Sequence, residues 1–154
     1  MADSTAAIDS DPRDDRVLPL TRAAAFLVIP FLIAAFLILY VEGSQTERWF
    51  AWQIPSRLTT ALMGRGYLGG AYFFLRVGTV RSWHRVQAGF LPIAIFTAAM
   101  FLATVLHWEA FLSDRWPFWI WLILYIATPL LIPFVWWRNR RTDPRKKAPG
   151  MRLV

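Results

Sequence analysis

From Ala23 to Val41 the chain reads Ala-Ala-Ala-Phe-Leu-Val-Ile-Pro-Phe-Leu-Ile-Ala-Ala-Phe-Leu-Ile-Leu-Tyr-Val, with no charged side chain and no periodic polar face. Equally apolar runs follow at Ala88–Leu106 and Trp116–Trp137. A helix of about 20 such residues crosses the hydrocarbon core of a bilayer. In that medium every backbone N–H and C=O must bond within the segment, which leaves the helix as the form for isolated runs of this kind. Three such runs are too much apolar length for a soluble domain of 154 residues to hide. The chain therefore reads as an integral membrane protein. Many of its nine tryptophans stand at run ends, where the ring sits in apolar matter and the N–H stays wet.

A fourth segment, Arg57–Val77, is less oily. It contains Arg65 well inside its length, surrounded by Gly64, Gly66, Gly69 and Gly70. The Gly66/Gly70 spacing, with Gly69, removes side chains from a helical face and suits close helix packing. The expected fold is all-α: a four-helix transmembrane bundle with short loops and disordered termini, its spans at about 22–41, 57–77, 88–106 and 116–137. The domain division is a disordered cytoplasmic leader over 1–20, a membrane domain over 21–137 and a basic cytoplasmic tail over 138–154. Pro30 is expected to kink the first helix, and Pro129 and Pro133 to bend the last. Ser56 is expected to cap the second span. The linker Gln45–Arg57, with Trp49, Phe50, Trp52 and Ile54, reads as an interfacial segment lying flat on the membrane.

Charge sets the orientation. Arg13, Arg16, Arg22, Arg76, Arg81, Arg85, Arg138, Arg140, Arg141, Arg145, Lys146, Lys147 and Arg152 fall on one side of a four-span arrangement, against Arg48, Arg57 and Arg115 on the other. Cytoplasmic loops hold the excess, so both termini are expected in the cytoplasm of an inner-membrane protein. The net charge of +7 is thus read as topology rather than nucleic-acid binding. Arg138, Arg140, Arg141, Arg145, Lys146 and Lys147 are candidates for contact with anionic lipid headgroups at the cytoplasmic face.

The chain has no cysteine, which excludes disulfides, thiolate metal sites and a cysteine nucleophile. No phosphate loop, catalytic Ser/His/Asp order or metal-ligand spacing occurs, and no metal or other cofactor is expected. Arg65 lies about 12–13 Å along its helix, and an arginine there faces the bundle, pairs or snorkels. Glu42, Arg65 and His107 form a candidate polar cluster at the outer end. Its plainer version is an ion pair between Arg65 and Glu42. His84 and His107 fall at opposite ends of the bundle and cannot share one haem within a single copy.

The block from Thr46 to Ala71, Thr-Glu-Arg-Trp-Phe-Ala-Trp-Gln-Ile-Pro-Ser-Arg through the glycine-bearing helix, resembles a stretch of small bacterial multi-pass membrane proteins. That resemblance implies a bacterial inner-membrane location and transfers no activity. The leading expectation is a non-enzymatic accessory or interaction subunit that packs on a larger membrane partner, or on copies of itself, through Gly66, Gly69 and Gly70. One alternative is a small oligomeric transporter or channel with Arg65 near its outer mouth. Another is a redox protein holding a quinone or haem.

Overall fold

The computed structural model describes residues 15–140. In chain order the helices are α1 (Pro19–Tyr40), α2 (Thr46–Trp49, one turn), α3 (Arg57–Thr79), α4 (Phe90–Leu106) and α5 (Trp116–Asn139). Short 3₁₀ turns lead into and out of α4. The protein is all-α, and the four long helices form the bundle. Among the described residues the sole β feature is an isolated bridge between Arg16 and Ser82. Three helices, α1, α4 with its leading turn, and α5, are long and apolar enough to cross a membrane. This marks a membrane protein. The helices continue through Pro30, Pro129 and Pro133 without a break.

α3 is less apolar but lies antiparallel along α1. Gly64 faces Leu39 and Tyr40, Gly70 faces Leu32, and Gly78 faces Phe26. Each step down α3 is matched by a step back up α1, so α3 traverses the depth that α1 traverses. Ser56 caps α3 as expected, its Oγ accepting from the Thr59 N–H at 3.3 Å. At the other end Arg22 closes the helix: its guanidinium donates to Gly78 O at 3.1 Å and Val80 O at 2.9 Å. A cation on the last carbonyls of a helix also meets the negative end of its dipole.

The start of α1, the end of α5 and the 80–89 loop share one end of the bundle, here called proximal; residues 41–56 and 107–115 form the distal end. At the proximal end Val17, Val28, Phe74, Val77, Trp83, Phe90, Ile132 and Val135 make one buried cluster. At the distal end Leu39, Phe50, Ala51, Ile54, Trp121 and Tyr125 make another. Of the disordered leader expected over 1–20, the described residues 15–20 are instead ordered. Val17 N–H donates to Arg81 O at 3.0 Å, Trp83 N–H donates to Asp15 O at 2.7 Å, and α1 begins at Pro19. The expectation of disorder over 1–14 and 141–154 lies outside the described residues.

The distal linker also differs from the flat interfacial segment expected. After α2 it turns inward and buries Phe50, Ala51 and Ile54. Phe50 and Trp52 meet the Trp121 ring at centroid distances of 5.5 and 4.8 Å, and Trp52 meets Phe111 at 5.1 Å. Thr46 Oγ1 accepts the buried Ile54 N–H at 2.9 Å, and Ala51 O accepts the Leu112 N–H at 3.0 Å. Aromatic burial between α3 and α5 outcompetes the membrane surface, and the linker caps the bundle as a plug.

Candidate functional site

The polar interior is sparse. Thr104 Oγ1 donates to Met100 O at 2.8 Å and accepts the Trp121 Nε1–H at 3.1 Å. The Tyr67 and Tyr125 hydroxyls bond each other at 3.3 Å, joining α3 to α5 at the distal cluster. Both hydroxyls are thereby given a partner in surroundings that offer few others. Among the described residues no group of three or more His, Asp or Glu side chains is placed to hold a metal.

Glu42, Arg65 and His107 are not brought together. Glu42 is exposed and accepts from Gln45 Nε2 at 3.0 Å. His107 is exposed, its Nδ1 directed to Ala103 O at 3.2 Å. Among the described residues Arg65 has no carboxylate within ion-pair distance, and its side chain is exposed. The reason is azimuthal. Gly64 is buried against α1, and the next residue is turned about 100° around a helix. Glu42 sits just beyond the end of α1, held by Gln45. His84 engages Asp15 at the proximal end through both its backbone N–H and its ring Nδ1. The two histidines occupy opposite ends of the bundle.

The glycines divide in two. Gly64 and Gly70 pack within the chain, their β positions 3.4 Å from Tyr40 Cβ and 3.5 Å from Leu32 Cδ1. Gly66 and Gly69 meet nothing within 4 Å. They belong to a face of α3 turned away from α1, which also exposes Leu58, Leu62, Arg65, Tyr72 and Arg76. Arg65 and Arg76 are separated by close to three helical turns, so they point the same way about 16 Å apart. Gly69 and Tyr72 lie between them. Arg76 was counted in the sequence for orientation alone. Its place on this face was legible from the spacing to Arg65.

At the chain's far end, Arg138 lies over the Phe134 ring at 5.9 Å and Arg140 over the Trp136 ring at 5.2 Å. The remaining headgroup candidates Arg141, Arg145, Lys146 and Lys147 lie outside the described residues. Comparison with protein families, curated proteins and solved structures finds no match to this chain.

Proposed function

We propose that this protein is a non-enzymatic accessory subunit of a larger membrane assembly, docking through the outward face of α3. The observation that carries this reading is the contrast between that face and every other membrane-facing surface of the bundle. The exposed residues of α1, α4 and α5 at membrane depth are apolar, with neither a charge nor a glycine among them, as lipid contact favours. The outward face of α3 instead carries two arginines and two open glycines. An unpaired arginine at membrane depth is expensive. A glycine on an exposed helix face costs about 1 kcal/mol relative to alanine unless something uses the space. A packed partner helix with an acid offsets both costs.

The partner is a different chain. Two copies meeting in parallel on this face set Arg65 beside Arg65 and Arg76 beside Arg76. The described acids, Asp15, Glu42, Glu47, Glu109 and Asp114, all lie outside the long helices and cannot answer those charges. A transport path at Arg65 would have to run between chains, because Arg65 points away from the bundle axis. The setting proposed is a bacterial inner membrane with both ends cytoplasmic. The Lys/Arg excess supports the orientation, and the likeness of the Thr46–Ala71 block supports the setting.

The test is purification from native membranes in mild detergent. A partner at fixed stoichiometry is expected, lost at least tenfold in Gly69→Leu while the melting profile of the isolated chain is retained. A monomeric or self-associated wild-type chain, or a complex indifferent to Gly69→Leu, overturns the reading.

A further inference from the structure

We propose that the groove at the distal end of α1 binds one phospholipid whose headgroup carries both a phosphate and a primary ammonium. The inference stands apart from the outward face of α3 and does not depend on it. The groove has a volume of about 560 Å³. Its floor is Leu37, Ile38 and Val41, and its rim is Glu42, Gln45, Arg48 and Trp49. Val41 is 67 % exposed and Leu37 49 %, an apolar surface at the end of an apolar span. That level is the boundary between acyl chains and headgroups, as the adjacent Tyr40 and Trp49 also indicate.

The rim is charged at both ends but not self-paired. Glu42 and Arg48 line the same groove, yet no ion pair joins them, and no other described residue supplies either with an opposite charge within 4.0 Å. Glu42 lies just past the end of α1, where the last carbonyls already make the helix terminus negative. A carboxylate there calls for a cation with N–H donors. Gln45 supplies one neutral donor, through Nε2 at 3.0 Å. On the other side, the Arg48 guanidinium is held over the Trp49 ring, 4.9 Å from its centroid. Its planar donors suit a phosphate.

Backbone bonds through Gln45 hold the main chain of Glu42 and Arg48 together. Gln45 N–H donates to Glu42 O at 2.7 Å, and Gln45 O accepts from the Arg48 N–H at 2.9 Å. A headgroup with phosphate and ammonium satisfies both ends at once, while its glycerol and acyl chain cover Val41 and Leu37. A phosphatidylglycerol headgroup brings no cation to Glu42. A phosphatidylcholine headgroup brings a cation with no N–H to donate.

The experiment is native mass spectrometry of the delipidated full chain with phosphatidylethanolamine, phosphatidylglycerol or phosphatidylcholine added singly. One phosphatidylethanolamine is expected to be retained at least tenfold more strongly than either of the others. Glu42→Gln is expected to remove that preference while leaving phosphatidylglycerol retention unchanged. Arg48→Gln is expected to weaken all three. Both side chains are exposed, so the variants keep the fold, which the melting profile checks. Equal retention of the three lipids by the wild-type chain, a preference unchanged in Glu42→Gln, or retention unchanged in Arg48→Gln overturns the proposal.

Discussion

Asn139, in the last turn of α5, holds the start of α1: its Oδ1 accepts from Thr21 Oγ1 at 2.8 Å and from the Leu18 N–H at 2.9 Å. Its Nδ2 donates to Arg16 O at 3.0 Å. One fully buried amide therefore ties the first helix to the last at the proximal end, and caps an α1 N-terminus that no side chain of its own caps. Removing it leaves a half-buried N–H and a buried hydroxyl without these bonds, which costs about 1–3 kcal/mol. Asn139→Ala is expected to lower unfolding stability by that amount, followed by tryptophan fluorescence in a denaturing-detergent titration. Thr21→Val, which removes the hydroxyl bond alone, is expected to cost about 1 kcal/mol.

Trp83 offers a cleaner separation of packing from hydrogen bonding. Its side chain is wholly buried and packs on Phe90 at 4.9 Å between centroids, yet among the described residues its Nε1–H has no partner. An aromatic-to-alanine change at such a site costs about 3–5 kcal/mol. Trp83→Phe keeps a ring in place and removes the orphaned donor, so its loss of volume is offset. The same titration is expected to show Trp83→Ala strongly destabilised and Trp83→Phe within about 1 kcal/mol of wild type. Equal loss in the two variants would mean that the N–H is satisfied after all.

The elements set by composition were legible in the sequence. α1, α4 and α5 follow from uninterrupted apolar runs, and the start of α3 follows from the Ser56 cap. What could not be read was azimuth. Thr60, Gly64, Ala71, Phe74 and Gly78 are buried at helical spacing, but the opposite face of α3 also carries Leu58, Leu62 and Tyr72. With apolar residues on both sides, periodicity does not say which side meets α1. The pairing of Glu42 with Arg65 failed on that point: the two were matched by depth, and the helix turns Arg65 away. The linker failed differently. Phe50, Trp52 and Ile54 bury the same apolar surface lying on a membrane or plugging a bundle, so their composition is silent between the two.

The glycines give a paired prediction from the geometry. A β carbon at Gly78 would sit 2.7 Å from Phe26 Cζ, and one at Gly89 2.2 Å from Phe73 Cε2. Gly78→Ala and Gly89→Ala therefore require those rings to move, and overpacking of this kind costs about 1–3 kcal/mol. Gly66→Ala meets open space and gains helix propensity, so the isolated chain is expected to be stabilised by about 0.5–1 kcal/mol. Thermal unfolding of the purified chain by circular dichroism distinguishes the two directions.

The bond between Tyr67 and Tyr125 is another polar tie across the bundle, linking α3 to α5 at 3.3 Å with both side chains packed in or against the distal cluster. Interhelical hydrogen bonds in membranes contribute about 0.6 kcal/mol on average and up to about 1.7, because the alternative partners within the membrane are few but not absent. Phenylalanine preserves the ring contacts of each residue, including the 4.1 Å approach of Tyr125 to Trp121. A double-mutant cycle of Tyr67→Phe and Tyr125→Phe is thus expected to isolate the hydroxyl pair, with a coupling of about 0.5–1 kcal/mol. The second substitution should then add almost nothing to the first, since removing either hydroxyl orphans the other. Strictly additive losses would show that each hydroxyl finds another partner in the membrane, and that α3 is held to α5 by aromatic packing alone.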